Sequence, residues 1–84
     1  MLFRSGAGLD WKTSLQELTS KLHLGVPLYV VHESGPDHAK HFTAQVEIAS
    51  KLYGHGEGRS KRVAEQEAAA EAFKELHAAF PELA

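Results

Sequence analysis

The sequence predicts an α+β fold of order α-β-β-β-α, a three-stranded antiparallel sheet with both helices packed on one face. Three observations predict it. Trp11, Leu15, Leu18 and Leu22 recur at intervals of 4, 3 and 4, the apolar stripe of an amphipathic helix. Residues 42–48, FTAQVEI, alternate strictly between apolar and polar, as a strand with one wet face does. Residues 61–79 place Ala64, Ala68 and Ala72 among Ala69, Phe73 and Leu76, with Phe80 just beyond, a helix whose inner face carries little bulk. Two one-faced helices flanking one-faced strands bury their apolar surface as two layers.

The elements follow in order. Residues 1–9, MLFRSGAGL, show no periodicity and are expected to be a linker or tail, with residues 1–5 a candidate non-native extension. The folded domain is expected over 10–80, and 81–84 as a C-terminal tail. Asp10 stands at an N-cap position before a helix from about Trp11 to about Leu22, which Gly25 and Pro27 stop. Leu28–Val31 is a short β-branched and aromatic run between Pro27 and Gly35-Pro36, and so a first strand. The second strand is Phe42–Ile48. A third is expected over about Lys51–His55, after a turn at Ala49-Ser50, with the glycines at 54, 56 and 58 ending it and letting the backbone turn sharply. Ser60 then caps a second helix from Lys61 to about Ala79, closed by Phe80-Pro81.

Composition narrows the function. The chain has 84 residues, 43% of them hydrophobic, which suits one small domain with a compact core. With no cysteine, a disulfide scaffold, a thiolate zinc site and a cysteine nucleophile are excluded. No apolar run approaches the ~20 residues that span a bilayer, and the N-terminus lacks the apolar core of a secretory signal. No membrane partner is expected, and a cytoplasmic location is.

The eleven carboxylates form no recognisable acid/base motif. Glu65, Glu67, Glu71 and Glu75 are expected to make a solvated helix face, with Lys74 as a weak surface partner. Ser60 lacks a nucleophile-elbow pattern. No catalytic residue and no small-molecule substrate are expected. His38 and His41 have a ligand-compatible spacing but no third or fourth ligand, so no metal site is expected either. The glycine-rich stretch matches neither G-x-x-x-x-G-K-[ST] nor G-x-G-x-x-G.

What stands out is charge placement. The formal net charge is -2, yet Arg59, Lys61 and Arg62 cluster at the start of the second helix. Cations there oppose the helix dipole unless an external anion sits between them. The same turn exposes free N–H groups, so side chains and dipole would converge on a phosphate. On the first helix, the face away from the apolar stripe carries Thr13, Gln16, Glu17 and Ser20. The loop between the first two strands carries Gly35, Pro36, Asp37 and His38. Short polar groups of this kind suit hydroxyl-rich surfaces, and the wide minor groove of A-form RNA displays 2′-hydroxyls.

From Asp10 to about Leu76 the chain resembles a double-stranded RNA-binding domain. The residues that carry the resemblance are DWKTSLQE at 10–17, PLYVVHESGPDHAKHF at 27–42 and GEGRSKRVAEQEAA at 56–69. Their wording is most similar to the C-terminal domain of bacterial ribonuclease III, in its actinobacterial versions. The resemblance implies three contact regions on double-stranded RNA. Thr13, Gln16, Glu17 and Ser20 would enter one minor groove and Gly35, Pro36, Asp37 and His38 the next. Arg59, Ser60, Lys61 and Arg62 would span the phosphates between. Such an arrangement covers about 16 base pairs and reads shape more than sequence.

It also implies a parent chain with a separate Mg²⁺-dependent nuclease domain. That domain has no counterpart in these residues, so no cofactor is expected in this chain. Where the wider family often carries K-K-x-A-K, this sequence has Glu65. With fewer cations, weak binding is expected, with a log–log salt slope of roughly two to three. The rival expectation is a protein–protein interaction module that keeps the fold and has little RNA affinity.

Overall fold

A computed structural model of the protein describes residues 10–80, so the expected tails at 1–9 and 81–84 lie outside the described residues. The element order is α1 (Trp11–Lys21), β1 (Leu28–Ser34), a 3₁₀ turn (Asp37–Ala39), β2 (His41–Ile48), β3 (Lys51–Gly58) and α2 (Lys61–Ala79). The sheet is antiparallel in the order β1-β2-β3. The α-β-β-β-α order read from the sequence is therefore the observed one.

The core assembles from the faces the patterns marked. Leu15 and Leu18 of α1, Ala44, Val46 and Ile48 of β2, and Ala64, Ala68, Ala69, Ala72 and Leu76 of α2 are buried together. Both helices lie on one side of the sheet; α2 rests mainly on β3 and β2, and α1 packs against α2. The other sheet face is open, and Leu28 and Leu52 are 60% and 55% exposed.

The two outer strands, β1 and β3, run longer than expected. β1 continues through His32, Glu33 and Ser34, polar residues that pair with Thr43, Phe42 and His41. β3 continues to Gly58, so the glycines lie inside the strand rather than ending it. Their task is mostly close approach. A Cβ on Gly56 would overlap the backbone of α2 at Ala64 and Ala68, and one on Gly54 would overlap that at Ala68 and Ala72. The alanine face of α2 meets β3 at Gly54 and Gly56, where the strand has no side chain, and the backbones of the two elements come together there. Only Gly54 of the three has a left-handed φ, 66°, at a bulge where β3 carries one residue more than β2. Glu75 of α2 accepts a hydrogen bond from the Gly54 N–H at 3.2 Å, which makes it part of the packing rather than of a purely solvated face.

Helix caps follow the sequence. Asp10 accepts from the N–H groups of Lys12 and Thr13, and Ser60 accepts from that of Val63 at 3.2 Å. The C-terminus of α1 closes differently from the expected stop at Gly25. His23 takes the left-handed conformation at φ 60°, its N–H donating to the Ser20 carbonyl, while the Leu24 N–H donates to that of Thr19. That is a Schellman cap built on a histidine.

Candidate nucleic-acid interface

Thr13, Gln16, Glu17 and Ser20 are all exposed and line one shallow groove along α1. The apolar stripe fixes this. With Leu15 and Leu18 turned into the core, residues 13, 16, 17 and 20 face outward. The Thr13 hydroxyl donates to the Asp10 carboxylate at 2.7 Å, so it serves the cap as well as the groove.

Thr13 and Gln16 also line a larger cleft of about 700 Å³, whose far wall is Lys61 and Arg62 at the start of α2. The hydroxyl-bearing helix and the basic helix start therefore open onto one space. Its floor is Tyr29, with Val26 and Pro27 beside it. The Tyr29 hydroxyl is buried with no hydrogen-bond partner among the described residues. Burial, with the Glu65 and Asp10 carboxylates nearby, pushes its pKa up to about 12.

Gly35, Pro36, Asp37 and His38 form the exposed β1–β2 loop, tightened by the 3₁₀ turn, in which the Ala39 N–H donates to the Pro36 carbonyl at 2.9 Å. Gly35 has φ 91°, and a Cβ there would come within 2.7 Å of the Ala39 carbonyl oxygen, so glycine is required. Asp37 and His38 line a second recess with Lys40, His41 and Arg59.

The expected cluster of three cations is thus divided. Lys61 and Arg62 face the α1–α2 cleft, whereas Arg59 lines the loop recess. The reason is backbone geometry: Arg59 follows directly on β3, before the Ser60 cap redirects the chain into the helix. Two further cations escaped the sequence reading. Lys40 lines the loop recess and lies 3.6 Å from Glu33. Lys12 lines the cleft, its ammonium 2.7 Å from Glu65 and 4.9 Å from the centre of the Tyr29 ring. Lys12 lies one residue before Thr13 and four before Gln16, a signal available in the sequence. Its partner Glu65 lies 53 residues away and was not. Glu65 leaves the solvated face on which it was expected. Glu71 stays there, 3.8 Å from Lys74.

Of the histidines, His41 lies 3.1 Å and His55 3.6 Å from the Glu57 carboxylate, and among the described residues no three metal-ligating side chains converge. Nor is any helix among them long and apolar enough to cross a membrane.

The chain is similar to known proteins of one family. Residues 11–76 match the family model described as double-stranded RNA binding motif. The chain is 66% identical over 74 residues to "Ribonuclease 3" of Thermobifida fusca, covering 88% of this chain and 31% of that protein. It is 58% identical over 79 residues to "Ribonuclease 3" of Streptomyces coelicolor, covering 94% of this chain and 29% of that one. The chain thus spans about a third of the length of these relatives. Among solved structures, Arabidopsis HYL1, described with its implications for miRNA processing, superposes with a TM-score of 0.71 at 34% identity, over 79% of this chain and 94% of that one.

Proposed function

The chain belongs to the double-stranded RNA-binding motif family, and from that membership we propose that it binds A-form duplex RNA by shape, as the substrate-binding module of a ribonuclease III-type endonuclease. The observation that carries the reading is the shared cleft. Thr13 and Gln16 on one wall and Lys61 and Arg62 on the other hold hydroxyl-seeking and phosphate-seeking groups at a fixed separation. A minor groove edged by its own phosphates presents both at once.

The β1–β2 loop, with His38 at its tip and Arg59 and Lys40 behind it, supplies a second station for the next minor groove. Phosphate contacts set position and affinity, while hydroxyl contacts discriminate RNA from DNA. Gln16, Glu17 and His38 carry that discrimination: each offers a donor or acceptor that a 2′-hydroxyl satisfies and a deoxyribose does not. No cleavage step is assigned to these residues. Hydrolysis, with its Mg²⁺, belongs to a separate nuclease segment of the parent protein, and the setting is cytoplasmic.

A salt-dependent titration with an RNA duplex of about 20 base pairs, beside DNA of the same sequence, tests the reading. RNA is expected to bind more tightly, with a log–log slope of roughly two to three. Equal affinity for the two duplexes would sink it.

A further inference from the structure

Around the N-terminus of α1, four side chains tie the two helices together. Gln66 of α2 accepts the Trp11 N–H at 2.8 Å through its carbonyl and donates to Asp10 at 3.0 Å through its amide. It thus satisfies one free donor of α1 and holds the cap residue that satisfies two others. One residue earlier, Glu65 receives the Lys12 ammonium at 2.7 Å. Lys12 and Glu65 are 40% and 20% exposed, so the pair is better shielded than the other ion pairs among the described residues. Neither contact belongs to the apolar core, which joins the helices through Leu15, Leu18 and the alanines.

We infer that Glu65 and Gln66, with Lys12 and Asp10, form a polar strut that sets the spacing between the groove-reading face of α1 and the phosphate-binding start of α2. All four are positioning residues for RNA recognition. The inference rests on the double-stranded RNA reading and deepens it.

The geometry supports a strut over a phosphate ligand at Lys12. Its ammonium is held on one side by a carboxylate and on another by the face of Tyr29, and a phosphate would have to displace Glu65 to reach it. Glu65 and Gln66 sit one turn after Lys61 and Arg62 on the same helix. Whatever fixes their distance to Asp10 and Lys12 therefore fixes the width of the cleft. Contacts on two consecutive residues of α2 hold the first turn of α1 against both sliding and rotation. If they are lost, α1 must be ordered as RNA binds, at a cost in affinity.

The strut makes a prediction of unusual sign. Glu65 is a negative charge in a cleft meant for phosphates, so electrostatics alone says that Glu65→Gln should tighten RNA binding. A strut says that it should weaken it. The test measures affinity of the 84-residue chain for the same RNA duplex across a salt series, with a thermal melt of each variant. Glu65→Gln and the charge-neutral Gln66→Leu are each expected to weaken binding about three- to tenfold at every salt concentration. The salt slope should not change, because no phosphate contact is removed. Lys12→Met should behave like Glu65→Gln.

Tighter binding by Glu65→Gln would overturn the inference, as would a Lys12→Met slope lower by about one, the mark of a phosphate ligand. So would unchanged affinity in folded Glu65→Gln, whatever its melting point. Should Gln66→Leu fail to fold, Glu65→Gln decides, since it alters only a partly exposed pair. Failure of the parent chain itself to bind duplex RNA would overturn the RNA reading and the strut together; failure confined to the variants overturns the strut alone.

Discussion

Single residues show where this small domain is tuned and where it is strained. Asp10 is held well below the ordinary carboxylate value, from 3.8 to about 2, first by the Gln66 amide and then by the Thr13 hydroxyl. Because the folded-state value is the lower one, its stabilising contribution is complete above about pH 4 and is lost as pH falls towards 2. Asp10→Asn keeps a cap acceptor but removes the charge, so it should lower stability at pH 7 towards the parent's acid value and flatten this limb of an acid-unfolding curve. A variant with the same acid limb as the parent would show that Asp10 is not its source. His23 is the opposite case. It occupies a left-handed position at φ 60°, where a side chain is penalised and glycine is not. His23→Gly should stabilise by about 0.5–1 kcal/mol, net of the extra freedom it gives the unfolded chain. A melting point raised by several degrees checks this, and an unchanged or lower one refutes it.

Among elements, the decisive contact is α2 on β3. Gly56 is buried, and any Cβ there meets the α2 backbone at Ala64 and Ala68 rather than a side chain that could move. Gly56→Ala should thus destabilise by about 3 kcal/mol, at the upper end for overpacking, and lower the melting point by ten degrees or more. A melt within a few degrees of the parent's would show that helix and strand can separate cheaply. The example also shows what the sequence made legible. Periods of 3.6 and 2 announced both helices and the central strand, because each has one buried face. The alanine spacing announced a close approach by α2. That the glycines of β3 were its counterpart was hidden, because glycine-rich stretches also read as turns and only the paired partner distinguishes the two. The cations divided for a similar reason. Arg59, Lys61 and Arg62 are neighbours in the chain, and the change of direction at Ser60 sends them to different recesses. Lys12–Glu65 and Gln66–Asp10 were illegible because long-range polar pairs leave no period.

At the scale of the molecule, the proposed function requires a chain of net charge -2 to attract a polyanion. On the proposed reading, cations do this at two stations on a body 45 × 31 × 18 Å in extent, the α1–α2 cleft and the loop recess with Arg59 and Lys40. On that reading Lys61 and Arg62 supply the phosphate attraction of the first. Changing both to alanine should weaken binding to all duplex sequences alike and lower the salt slope by about one to two. Unaltered affinity would make the pair a surface feature.

On the proposed reading, the second station would convert a local phosphate site into a measure of duplex length. Two stations engaging successive minor grooves need about 16 base pairs, so an RNA duplex of about 10 should satisfy only one of them. The parent chain is therefore expected to bind a 20-base-pair RNA much more tightly than a 10-base-pair one, beyond the gain from having more places to bind. In the double variant His38→Ala with Arg59→Ala, the first station remains and the second is disabled. Its affinity for the long duplex should fall towards that for the short one, while the short duplex should bind as it does to the parent. If the parent does not distinguish the two lengths, the loop does not reach a second groove, and recognition reduces to the α1–α2 cleft alone. If the variant loses affinity for both duplexes equally, His38 and Arg59 act on the same groove as that cleft, and the two recesses form one continuous site.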